Sequence, residues 1–148
     1  MTQIPKLGDI QKAWLLLYHC ANSRTNYYTR VVDPEYSGVY ALGHDQCLRE
    51  CFQSILDLSH GSVGHKWQQL SQLSFSQGGV GLRSATRLRF CAYWASWSDC
   101  LEMLHQRKPR LVESIIAELT RNRGDCPPLQ QLVQCATQIR ELGVEVPS

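Results

Sequence analysis

Between Arg83 and Leu104 the chain carries one unbroken helical stripe: Phe90, Trp94, Trp97, Leu101 and Leu104 step by four, three, four and three residues. That rhythm follows the 3.6-residue turn and cannot be laid on a strand, whose side chains change face at every residue. Trp94 and Trp97 commit this helix to a core, since a buried indole removes on the order of 200 Å² from water. Arg83 and Arg87 lie on the N-terminal extension of the same line, and Pro109 ends it. A glycine-rich stretch, "SFSQGGVG", runs directly into the helix and predicts a loop.

The rest of the chain shows the same periodicity. Ile10, Trp14, Leu17, Tyr18 and Ala21 predict a helix capped by Asp9, and "NSRTNYYTRVV" predicts a short second one. Asp33 and Pro34 are placed as N-cap and first helical residue of a third, running to Leu58 with Tyr36, Val39, Tyr40, Cys47, Leu48, Phe52 and Ile55 as its apolar set and Gly43 as a kink. A linker, "SHGSVGH", a short helix over 66–73, and two further helices follow; Leu111, Ile115, Ile116 and Leu119 face inward on the first of these, and Leu129, Leu132, Val133, Ala136 and Ile139 on the second. Strand-like alternation is weak and confined to "TRVV" and "VEVP". The expected class is all-α, an irregular bundle of about six helices with the glycine-rich loop before the longest. By segment, 1–62 is a helical unit, 63–82 a linker and loop, and 83–148 a C-terminal helical part, together one compact domain.

Composition narrows the function classes. A hydrophobic fraction of 43% with 19% charged residues suits a folded domain. The longest apolar run, "AWLLLY", is far short of the roughly 20 residues that span a bilayer, and the N-terminus has no secretory pattern. Seven cysteines at irregular spacings predict reduced thiols and an intracellular location, cytoplasmic or nuclear. Charge is uneven: residues 83–123 hold eight basic and four acidic side chains, whereas residues 1–82 hold six of each. The basic middle is the footprint an anionic partner would use.

Individual motifs give no enzyme. "QGGVGLR" has the look of a phosphate cradle, but it lacks the Lys-Ser/Thr of a P-loop and no strand precedes it, so a tight turn with positive φ is expected. His44, Cys47 and Cys51 share a helical face with His60 beyond, yet structural zinc sites draw paired ligands from turns, so no metal is expected. No nucleophile, base and acid set is recognisable, and neither cofactor nor small-molecule substrate is implied. Arg83, Arg87 and Arg89 beside Tyr93, Trp94 and Trp97 offer phosphate contacts with aromatic neighbours; the arginines stand at a helix start, where the macrodipole gains nothing from them.

"FSQGGVGLRSA" followed by "FCAYWASWSDCL" resembles the GGLGLRSA-type segment downstream of the polymerase core in LINE-type (non-LTR) retrotransposon reverse transcriptases. "QKAWLLLYHCANSRTNYYTRVVDPE" and "YALGHDQCLRECFQSIL" are similar to the helical thumb that follows the catalytic palm in those polyproteins, so the resemblance covers roughly residues 8 to 105. The family's catalysis uses an Asp-Asp pair and a third Asp holding two Mg²⁺, and no such pair stands in this chain. The resemblance therefore implies a non-catalytic fragment, with Gly78, Gly79 and Gly81 as a loop hinge and Arg83, Ser84, Arg87 and Arg89 facing RNA or DNA. The rival expectation is a helical protein-interaction module, a retroelement remnant that no longer meets nucleic acid.

Overall fold

The computed structural model describes residues 1–58, 66–121 and 126–143, and among these every regular element is helical. The elements are α1 (Ile10–Leu16), α2 (Thr25–Val31), α3 (Pro34–Ile55), α4 (Lys66–Gln72), α5 (Ala85–His105), α6 (Pro109–Thr120) and α7 (Pro127–Glu141). The expected all-α class holds. The linker at 59–65 lies outside the described residues.

Caps behave as the sequence requires. Asp9 Oδ1 accepts the amides of Gln11 and Lys12 at the start of α1, and Asp33 Oδ1 accepts the Glu35 amide at the start of α3. Pro34, Pro109 and Pro127 each open a helix, where the missing N–H costs nothing. At the end of α1 the chain widens into a π-turn over Leu17–Ala21, closed by the Asn22 amide donating to the Leu17 carbonyl at 2.8 Å. One extra residue is absorbed there, so Ala21 and Asn22, adjacent in sequence, are both buried.

The chain divides into two compact units that are not consecutive stretches: Met1–Asn26 with Val39–Thr86, and Tyr27–Gly38 with Arg87–Ser148. In the first unit Leu17, Ala21, Leu48, Phe52 and Leu82 are buried together, with Trp14, Trp67 and Val80 packed against them. In the second, Tyr93, Leu129, Leu132 and Cys135 form the buried centre, with Phe90, Trp94 and Trp97 against it. The expected stripe on α5 is thus real, although Trp94 and Trp97 are half-buried and the deepest aromatic is Tyr93, at 7% exposure. Within this unit Arg30 pairs with Asp99, and the Gln131 amide donates to Glu35.

Three expectations need correction. On α3, Leu48, Phe52 and Ile55 of the expected set are buried, but Tyr36, Val39, Tyr40 and Cys47 are exposed, and the inward positions of the first half are Ser37, Ala41, His44 and Asp45. The inner face of its first half is chosen for small size and hydrogen bonding, which apolar periodicity does not register. On α6 the buried residue is Val112, while Leu111 and Ile116 are exposed. Finally, α5 has 21 residues and α3 has 22, so the glycine-rich loop precedes the second-longest helix, and α3 runs through Gly43 without ending.

Candidate nucleic-acid interface

The glycine loop is a built turn. Gly78 (φ +77°) and Gly81 (φ +71°) occupy the left-handed region that favours glycine, and a Cβ at Gly79 would overlap the Leu73 carbonyl. Successive amides are consumed locally: Gly78 donates to Phe75, Gly79 to Ser74, Val80 to Leu70, Gly81 to Leu73 and Leu82 to Ser71. A phosphate cradle needs those N–H groups pointing outward, and here they are already spent. The turn reading holds and the cradle reading does not.

Beyond the loop, two side chains hold the entry to α5. Asn22 Oδ1 accepts the Arg83 amide at 2.9 Å, while its Nδ2 reaches the Gly81 carbonyl at 3.5 Å. Asp45 Oδ1 accepts the Ala85 amide at 2.8 Å; Oδ2 accepts the Thr86 amide at 3.1 Å and the Ser84 hydroxyl at 2.8 Å. The carboxylate therefore caps a helix to which it does not belong, at the end where the dipole favours negative charge. Burial works against its charged form, but the His44 imidazole, the Ser84 hydroxyl and the amides of Thr86 and Ala85 outweigh it and hold Asp45 at about 2. His44 itself is buried; its Nε2–H donates to the Ala21 carbonyl at 3.0 Å, which leaves Nδ1 facing Asp45 at 3.9 Å.

The predicted contact residues fall into different situations. Arg83 is exposed, two residues before α5, and its backbone is held by Asn22. Ser84 spends its hydroxyl on Asp45. Arg87 is exposed on the first turn of α5. Arg89 is half-buried: its guanidinium carbon lies 4.6 Å from the centroid of the Phe90 ring, its Nε is shut off from solvent without a hydrogen-bond partner, and a Cβ at Gly38 would sit 3.1 Å from its Nη1. It packs inside the second unit. Arg83 and Ser84 belong to the first unit, Arg87 and Arg89 to the second.

One basic residue escaped the sequence reading. In the first unit a small, shallow depression of about 10 Å³ is bordered by Arg83 and by Arg49 of α3, with Ser71, Gln72 and Ser84 also lining it. The signal was available: Arg49 stands four residues after Asp45, hence on the same helical face. It lies outside the basic middle of the chain, which drew attention away from it. Asp45 is the carboxylate of this lining, and its oxygens are already occupied.

The cysteines are all free thiols. Cys47 and Cys51 border a hollow of about 230 Å³ beside Met1, Thr2 and Pro5, where the Cys51 thiol donates to the Met1 carbonyl at 3.6 Å. Burial pushes the Cys51 thiol up and Cys135 to about 12, so neither offers a ready thiolate for a metal or an electrophile. Among the described residues no three His, Cys, Asp or Glu side chains are grouped to hold a metal ion; His60 lies outside them. No helix among them is long and apolar enough to cross a membrane. No protein-family model matches the chain, and neither does any curated protein or solved structure.

Proposed function

We propose that this chain is a non-catalytic helical fragment that contacts nucleic acid through its phosphates, in the manner implied by its resemblance to the post-palm region of LINE-type reverse transcriptases. The observation that supports this reading is the placing of Arg49 and Arg83 around one depression, whose carboxylate, Asp45, stays ionised but has its oxygens engaged by the Ser84 hydroxyl and the Ala85 amide. Two guanidinium groups beside hydroxyl and amide side chains suit phosphate oxygens, which accept from all of them. Such contacts position a strand without reading its sequence, so affinity is expected near the non-specific range of about 10⁻⁴ to 10⁻⁶ M at physiological salt.

A second reading, a protein-interaction module, draws on one observation. Tyr36, Val39 and Tyr40, spaced to share a face of α3, are exposed, Val39 at 85%. Fluorescence anisotropy with a labelled duplex at several salt concentrations separates the two. Phosphate binding predicts a steep salt dependence, and Arg49→Ala with Arg83→Ala should reduce its slope by roughly 1.8 on B-form DNA. Equal slopes for wild type and double variant would remove these arginines from the interface. Absence of binding at low salt would leave the protein-interaction reading.

A further inference from the structure

Beside the same turn lies a group of rings that phosphate contacts leave unexplained. Phe75 is 57% exposed, yet it sits at the start of a 3₁₀ turn whose backbone is tied down by the Gly78 and Gly79 amides donating to the carbonyls of Phe75 and Ser74. Its ring centroid stands 5.3 Å from that of Tyr18 and 6.5 Å from that of Trp14. Gly81 passes directly against this group: a Cβ there would lie 3.2 Å from the Tyr18 ring and 3.3 Å from the Phe75 ring. Because Gly81 has no side chain, the backbone closes on the rings, and Arg83 emerges two residues later from an amide fixed by Asn22.

We infer that Phe75, backed by Tyr18, is a stacking platform for an unpaired base, whose adjoining phosphate is taken by Arg83. This rests on the nucleic-acid reading above and sharpens it, from phosphate contact in general to single-stranded nucleic acid. The pairing of an immobilised aromatic face with a nearby cation is what strand binders without sequence preference use, since every base has a π-face and every nucleotide a phosphate. Charge agrees with this choice of occupant. The first unit carries six basic residues (Lys6, Lys12, Arg24, Arg49, Lys66 and Arg83) against four acidic ones (Asp9, Asp45, Glu50 and Asp57), a small positive excess, and Arg83 is exposed. The stacking partners are also not the ones the sequence suggests: Tyr93, Trp94 and Trp97 pack into the centre of the second unit.

The test compares a labelled oligothymidine strand with an abasic strand of equal length, in the full chain. Wild type should prefer the base-bearing strand by roughly 5- to 150-fold, the worth of one stacked base. Phe75→Leu keeps an apolar side chain against Trp14 and Tyr18 but has no aromatic face, so it should abolish that preference while leaving abasic-strand affinity and salt slope unchanged. Phe75→Trp should retain or increase the preference. A wild type that binds duplex yet ignores the presence of bases would overturn the stacking platform alone, as would a Phe75→Leu variant with full preference. Failure to bind any of these strands at low salt would bring down the phosphate reading, and the platform with it.

Discussion

The Asp45 carboxylate accepts the Ala85 amide at 2.8 Å across forty residues of sequence, so the first turn of α5 is capped by a side chain from the middle of α3. A cap of this kind ties two helices to one another as well as satisfying a helix end. Asp45→Ala would remove the acceptor of the buried Ala85 amide and of the part-buried Thr86 amide, and a buried donor left without a partner costs about 1–3 kcal/mol. Urea titration should show a much lower midpoint for the variant. Asp45→Asn, which keeps one acceptor oxygen, should lose less.

Acid stability should carry the same signature. Asp45 titrates at about 2 when folded, below its ordinary value of 3.8. Its contribution is therefore complete above about pH 4 and is lost as the pH falls toward 2. The difference corresponds to about 2 kcal/mol. Denaturation midpoints of wild type and Asp45→Asn measured from pH 7 down to pH 2 should converge in that window. Parallel curves throughout would show that the carboxylate is not stabilised in its ionised form.

Glycine substitutions should separate by position. Gly79→Ala places a methyl group on the Leu73 carbonyl and has to move backbone, so it should destabilise the first unit markedly. Gly43 has open space around it in the middle of α3, and Gly43→Ala should stabilise by about 0.5–1 kcal/mol through helix propensity. Thermal melts of the two variants should shift in opposite directions.

In the second unit, Tyr93→Ala should cost about 3–5 kcal/mol, the range for truncating a buried aromatic. Trp97, half-buried and packed against the same centre, should cost less on truncation. The ordering is read from the urea midpoints of the two variants, and a larger loss at Trp97 would contradict the packing described.

Helix positions and caps were legible because they depend on neighbours in sequence. Asp9, Asp33, Pro34 and Pro109 announce themselves, and the α5 stripe needs only its spacing. What was not legible depends on pairs far apart. Nothing near Asp45 says that it will cap α5, so the first half of its helix, read by its large apolar residues, was turned one step too far, while Leu48, Phe52 and Ile55 in the second half are buried as their spacing predicts. Arg89 looked like Arg83 and Arg87 in sequence, but the open backbone at Gly38 admits its guanidinium into the packing. Of the candidate site, Arg83 was visible in the motif; Arg49 and Phe75 became candidates only when α3, the turn and α1 were seen together.

The π-turn at Leu17–Ala21 makes this point of the chain tolerant of a change in length. The Asn22 amide reaches back five residues to the Leu17 carbonyl, where an α-helix reaches back four, so removing one residue here, for instance His19, would close an ordinary turn and keep the flanking register. Asn22 would still face Gly81 and Arg83. The same deletion outside the wide turn would advance everything after it by about 100° and carry Asn22 away from the loop it anchors.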